Sequence, residues 1–179
     1  MKRIYLLRHA KAQMVSGIND KLRPLSLEGE EDAYQLGAFM RKKDYTPDAI
    51  FCSSALRTQQ TYDQITKAFK VRITKYDEND LYNALAEEII DVIHRADDQM
   101  QSILILAHNP GLHELALRLC DLETTPLVDR LMEGYHPATL SVFECPVQVW
   151  NDVQLGQNKM IDLQAPIDYN APDGPTRWM

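Results

Sequence analysis

Ile4-Tyr5-Leu6-Leu7-Arg8-His9-Ala10 is an apolar run that ends on a basic pair. Residues 2–7 read as a strand, too short for a helix and apolar enough to be buried. A histidine placed where a buried strand emerges, with an arginine in front of it, has the make-up of a phosphate-handling nucleophile. Three later segments strengthen that reading by their chain order: Arg23-Pro24-Leu25, Arg57-Thr58 with Thr61, and His108-Asn109-Pro110-Gly111.

Outward from this strand, apolar runs alternate with amphipathic helical patterns, which predicts an α/β domain with a largely parallel central sheet. A polar loop through Pro24 leads to a helix over about 27–43, capped by Ser26, with Glu28, Glu30 and Glu31 at the positive end of its dipole. Its buried stripe is Ala33, Leu36, Gly37 and Met40. Ala49-Ile50-Phe51-Cys52 is a second strand, after which Ser53 or Ser54 caps a helix to about Phe69. Val71 to Lys75 reads as a further strand, and Leu85, Ile89, Val92, Ile93 and Ala96 mark a third helix. Ile103 to Ala107 is the clearest buried strand; a helix follows Pro110, with Leu112, Leu115, Ala116 and Leu119 on one face. Late strands are expected at Leu140 to Glu144 and Met160 to Leu163, antiparallel at an edge. The domain is expected to span 1–164. An irregular tail is expected over 165–179, where Pro166, Pro172 and Pro175 fall within fifteen residues and Trp178 docks back on the body.

The chain has 179 residues, 45% of them hydrophobic, which suits one domain with an ordinary core. No apolar run approaches the roughly 18–20 residues of a membrane span, and no secretory leader is read at the N-terminus. Cys52, Cys120 and Cys145 are few and widely spaced, which suits free thiols in a reducing cytoplasm. The net charge of −7 argues against general nucleic-acid binding. Its distribution is uneven: residues 1–23 hold six Lys and Arg against Asp20 alone, and the remainder carries −12. A basic segment inside an acidic protein suits a focused site for a small anion or phosphoryl group.

In open α/β sheets ligands collect beyond the carboxyl ends of the strands. Arg8-His9, Ser53 to Arg57, and His108-Asn109 each follow a strand, so three segments deliver two arginines and two histidines to one edge. Arg57 falls in the first turn of its helix, where the dipole disfavours a cation unless an anion binds there. His9 can attack phosphorus through an unprotonated ring nitrogen if its other nitrogen is held by a hydrogen bond. Nearby arginines would keep its ring neutral near pH 7. His108 would contact oxygens of the transferring phosphoryl group. Such transfer needs mainly positioning and charge stabilisation, which this set supplies without a metal. His94 and His136 read as structural or surface residues, and His113 lacks partners at zinc-ligand spacing.

Leu-Arg-His-Ala-Lys, Arg-Pro-Leu-Ser, Ser-x-x-x-Arg-Thr-x-x-Thr, Leu-Tyr-x-Ala and Ala-His-Asn-Pro-Gly together resemble the histidine phosphatase superfamily, the group that includes phosphoglycerate mutases. Within it the chain is most similar to small SixA-like phosphohistidine phosphatases, from Lys2 to about Glu144. The resemblance implies a single three-layer phosphoglycerate mutase-like α/β domain, with no metal and no nucleotide. It implies His9 as the phosphorylated nucleophile, Arg8 and Arg57 as phosphate ligands, His108 as the second catalytic histidine, and Arg23 as a further phosphate-binding arginine. Ala10 stands where the superfamily's best-known tripeptide has glycine, as in SixA-like members. The glutamate proton donor of larger members is not evident; Asp80, before Leu81-Tyr82, is the nearest acid by position.

Without a strong acid, the site suits a leaving group that needs little protonation. Imidazole, with a reference pKa of about 6.5, is such a group, whereas an alcohol is not. The expected activity is therefore a cytoplasmic phosphatase acting on phosphohistidine in a protein. A small-molecule phosphomonoesterase, and a phosphate-binding module without catalysis, are the alternatives.

Overall fold

Along Lys2–Arg8 (β1) alternate side chains enter two different cores. Ile4 and Leu6 face one side of the sheet, Tyr5 and Leu7 the other. Ser102–Ala107 (β4) repeats the pattern, with Ile103 and Ile105 on the first side and Leu104 and Leu106 on the second. A strand that is apolar at nearly every position needs cover on both faces, so these two strands by themselves call for a three-layer sandwich.

A computed structural model describes residues 1–121, 123 and 125–170. It shows that sandwich. Ala49–Ser53 (β2), Thr74–Glu78 (β3), Leu140–Cys145 (β5) and Lys159–Gln164 (β6) complete a six-stranded sheet in the order β3-β2-β4-β1-β5-β6. The first four strands are parallel, with Ile4 opposite Ile103 and Ala49 also opposite Ile103. β5 and β6 run antiparallel at one edge, as their late position in the sequence predicts.

Leu27–Lys42 (α1) and Leu56–Thr66 (α2) cover the side of Tyr5 and Leu7 with Ala33, Leu36, Met40 and Ile65. Ala86–His94 (α3) and Gly111–Leu119 (α4) cover the other with Ile89, Val92, Leu112, Leu115 and Leu119. α1 starts as read: the Ser26 side chain accepts the Gly29 N–H at 3.0 Å. It then packs so tightly on α2 that a Cβ at Gly37 would collide with the Ile65 carbonyl oxygen. Among the described residues no helix is long and apolar enough to cross a membrane.

Three readings need correction, and one helix has no counterpart in the sequence reading. α2 is not capped by Ser53 or Ser54: its N-cap is Ala55, with no side-chain cap, and both serines lie before the helix. The strand expected at Val71 to Lys75 begins three residues later; Val71 is exposed, and the actual edge strand is largely polar, having no second layer to fill. Pro126–Glu133 (α5), with the Thr125 side chain accepting the Val128 N–H and proline in its first turn, was not anticipated. Pro166–Tyr169 (α6) is a short helix inside the segment read as irregular. The rest of that tail, residues 171–179 with Pro172, Pro175 and Trp178, lies outside the described residues.

Candidate active site

Because β2, β4 and β1 are neighbours, their carboxyl ends bring Ser53, His108 and Arg8-His9 to one place. The backbone of His9 is fixed on two sides: its N–H donates to the Ala107 carbonyl at 3.2 Å, and its carbonyl accepts the Ala138 N–H at 3.0 Å. Nδ1 of the ring lies 2.7 Å from the Ala10 carbonyl oxygen. A carbonyl only accepts, so Nδ1 carries the proton and Nε2 keeps its lone pair. The Arg57 Nε–H donates to that Nε2 at 3.3 Å. The Thr61 hydroxyl joins the two segments, accepting the Ala10 N–H at 3.0 Å and donating to the Arg57 carbonyl at 2.7 Å.

His108 stands beside His9, with ring centroids 5.1 Å apart. Its Nε2 is 2.7 Å from the Ser53 hydroxyl oxygen, which also lies 3.5 Å from the Ala55 N–H. The direction of this bond follows the ring's tautomer: with a proton on Nδ1, Ser53 donates to Nε2. That Nδ1 is buried and has no hydrogen-bond partner among the described residues. The Nε of Arg8 is in the same condition, while its Nη1 donates to the Tyr135 carbonyl at 2.8 Å. The Asn109 side-chain amide donates to the same carbonyl at 2.9 Å. Two buried nitrogens left unpaired beside a nucleophilic nitrogen, the Arg8 Nε–H and the Nδ1 of His108, fit an acceptor with several oxygens, such as a phosphoryl group.

Burial dominates the electrostatics. It pushes the His9 pKa down to about 4, assisted by Arg57, Arg8 and Arg23 and opposed by the bond to Ala10. Burial likewise takes His108 down to about 3, with His9 and Arg57 adding to the effect. Both rings are neutral at pH 7, so His9 presents a lone pair and His108 a single N–H donor. The Arg8 guanidinium is lowered from its usual value by burial and by Arg57, which makes a bound anion welcome.

These shifts have a consequence for stability. In the unfolded chain a histidine titrates near 6.5, so between that pH and the folded values the unfolded state binds more protons. Stability therefore rises with pH over this window and is lost as pH falls through it. From pH 6.5 to pH 5, above the range of most carboxylates, the two rings are expected to remove on the order of 3 kcal/mol. Urea unfolding at the two pH values checks this: a His9→Asn/His108→Asn double variant should flatten the dependence. A wild type equally stable at both would disprove it.

Asp20, counted in the sequence only as a lone acid in a basic segment, lies at the mouth of the site. Its Oδ2 accepts from Arg57 Nη2 at 3.1 Å and from the Tyr82 hydroxyl at 2.9 Å, its Oδ1 from Arg23 Nη1 at 3.1 Å, and its carbonyl from Arg57 Nη1 at 2.8 Å. The Tyr82 hydroxyl, then Arg23, hold its carboxyl down to about 2. Arg23 thus reaches the site through Asp20 and also donates to the Gln13 carbonyl at 3.0 Å.

Asp80 is not brought to the site. It belongs to a 3-10 turn, Asn79–Leu81, and its exposed carboxylate pairs with Arg95 at 3.3 Å. Two residues on, Tyr82 turns inward, its ring edge-on to His108 with centroids 5.7 Å apart. The turn is held close because Gly111, opening α4, has no side chain; a Cβ there would collide with the Ala84 carbonyl oxygen. Sequence reading missed the roles of Ser53, Asp20 and Tyr82, although Tyr82 lies in the Leu-Tyr-x-Ala motif and Ser53 was noted as a cap. Among the described residues no group of three or more His, Cys, Asp or Glu is placed to hold a metal ion.

Comparison with known proteins agrees with this fold. The family model of the histidine phosphatase superfamily, branch 1, matches residues 4–80, which include Arg8, His9, Arg23 and Arg57. The phosphohistidine phosphatase SixA homolog of Haemophilus influenzae is 26% identical over 147 residues, 77% of this chain and 85% of its own length. An uncharacterised protein of Mycobacterium tuberculosis is 29% identical over 162 residues, 89% of this chain and 99% of its own. Among solved structures, a candidate phosphohistidine phosphatase SixA of Agrobacterium tumefaciens matches with a TM-score of 0.76 at 28% identity, covering 92% of this chain and 99% of its own. The resemblance to histidine phosphatases, SixA-like ones among them, holds in sequence and in fold, and the architecture is phosphoglycerate mutase-like.

Proposed function

We propose that the protein is a metal-independent phosphatase that works through a phosphorylated His9 and removes phosphate from phosphohistidine in a protein. The observation that carries this reading is the state of His9: buried, neutral at pH 7, its Nδ1–H tied to Ala10 and its Nε2 lone pair beside Arg57. A binding module would need the arginines but not a nucleophile held in that tautomer.

Arg8, Arg57 and the Nδ1–H of His108 bind the phosphoryl oxygens. The substrate ring takes a proton from solvent on its free nitrogen; Nε2 of His9 then bonds to phosphorus as the substrate's own nitrogen–phosphorus bond breaks, and the substrate ring leaves as neutral imidazole. Water then bonds to phosphorus and loses a proton, the His9–phosphorus bond breaks, and inorganic phosphate leaves with the ring neutral again. The arginines and His108 act by stabilising charge on the oxygens in both steps.

The choice of phosphohistidine rests on the acids. Asp80 faces Arg95, and Asp20 is held ionised by Tyr82 and two arginines. Among the described residues the site therefore offers no neutral carboxyl to protonate an alcohol. The SixA-named relatives support the same substrate class, and exposed Met14 and Leu22 beside Arg23 suit contact with a protein surface.

The test is a rapid-quench experiment with a labelled phosphohistidine peptide, run beside small phosphate monoesters. An acid-labile label on His9 and a preference for the peptide of about 100-fold or more in kcat/KM are expected. Equal turnover of the esters would make the protein a general phosphomonoesterase, and phosphate binding without hydrolysis would make it a binding module.

A further inference from the structure

The segment between Gln13 and Pro24 is a strap. Its base is closed by the Gln13 N–H donating to the Pro24 carbonyl at 2.8 Å and by the bridge between Ala12 and Leu25. Residues 13–20 are exposed and contribute nothing to either core. What holds the far end down is a small set of polar contacts, all at the mouth of the site. Asp20 reaches Arg57 and Tyr82 as described, and the Lys21 ammonium sits 5.3 Å over the Tyr82 ring. The strap thus joins Tyr82 across the site, with Arg57 and His108 beneath.

The way Arg57 is used follows from this. Each of its three nitrogens already donates one hydrogen bond, Nε to His9, Nη1 to the Asp20 carbonyl and Nη2 to the Asp20 carboxylate, so three of its five N–H groups are committed. While Asp20 is in place, both terminal nitrogens of Arg57 are drawn to it, and phosphate can take the paired, fork-like grip of this guanidinium only by displacing Asp20. A carboxylate bound by two guanidinium groups and a phenol hydroxyl occupies the same kind of donors a phosphoryl group takes.

From this arrangement, and resting on the reading that Arg57 binds phosphate, we infer that Asp20 is a specificity-determining residue, an internal anion that a phosphoryl group must displace from Arg57 together with the strap. A free anion gains only its own contacts, from which the release of Asp20 is subtracted. A phosphoryl group carried on a protein brings further contacts, for which the exposed Met14, Val15, Ile18 and Leu22 of the strap are at hand. The device therefore selects against inorganic phosphate, the product, and for phosphate presented on a larger surface.

The test is isothermal titration of the full chain with inorganic phosphate. Asp20→Asn should bind phosphate about tenfold more tightly than wild type. Asp80→Asn serves as the control, since it removes the same charge from a carboxylate that pairs with Arg95 rather than Arg57. Tyr82→Phe, which loses only the hydroxyl holding Asp20, should move affinity in the same direction by a few-fold, and it stands in if Asp20→Asn does not fold. In wild type, phosphate should speed hydrogen exchange at the Lys21, Leu22 and Arg23 amides, whose bonds to Asn19 and Asp20 belong to the closed strap. Equal gains in Asp20→Asn and Asp80→Asn, no gain in either, or slowed exchange at these amides would overturn the inference while leaving the phosphate site intact. If neither wild type nor any variant bound phosphate at millimolar concentration, the reading of Arg57 as a phosphate ligand would fall, and this inference with it.

Discussion

His9→Ala is expected to lower kcat/KM for a phosphohistidine peptide by about 10⁴-fold or more and to leave no trapped phosphoenzyme. Every other contact in the site survives this change: Arg8 keeps Tyr135, His108 keeps Ser53, and Arg57 keeps both bonds to Asp20. The loss would therefore report the nucleophile and not a collapse of the phosphate site. Phosphate binding by calorimetry should persist, and exogenous imidazole, able to enter the space left by the ring, should restore part of the turnover. The fold should tolerate the substitution, because the ring's own hydrogen bonds go to the adjacent carbonyl and to Arg57 and span no pair of strands. A loss below tenfold, or label retained on the variant protein, would remove His9 from the mechanism.

How far such a site can be read from sequence depends on how local its parts are. β1 and β4 were legible because apolar residues at consecutive positions admit one reading, a strand covered on both faces. Arg8, His9 and His108 were legible with them, since their positions are fixed by where those strands end. β3 lies at the sheet edge with mostly exposed polar residues, so no apolar pattern marks it, and the apolar signal lies at exposed Val71 instead. α5 buries a single residue fully, Leu131, and offered too sparse a stripe to count. Ser53 was noticed for the wrong role. Its hydroxyl is equally suited to capping or to orienting an imidazole, and only the adjacency of β2 and β4 decides for His108. Asp20 and Tyr82 are 62 residues apart and meet only because two loops fold across the same opening. Asp80 was chosen for its nearness to the Leu81-Tyr82 motif, but a single 3-10 turn rotates it toward Arg95 and leaves the tyrosine facing in.

Arg57 separates the contribution of charge from that of shape. Its guanidinium spans His9 and Asp20 with three differently directed nitrogens, and when Nε2 of His9 bonds to phosphorus its Nε–H must turn to a phosphoryl oxygen. A lysine keeps the charge but offers one nitrogen in one place. Arg57→Lys is accordingly expected to lower kcat/KM by about 100-fold and Arg57→Met by about 10³-fold, the latter near 4 kcal/mol of transition-state stabilisation. The pH profiles should part in another way. Arg57 depresses the pKa of both His9 and His108 by its charge, so Arg57→Met should move the acid limb of kcat/KM to higher pH, toward the usual histidine range. Arg57→Lys, still cationic, should keep the limb closer to that of wild type. If Arg57→Lys retained activity within threefold, the directed nitrogens would be irrelevant and charge alone would do. If both variants kept the wild-type acid limb, the neutral state of His9 would owe nothing to Arg57 and rest on burial and the other arginines.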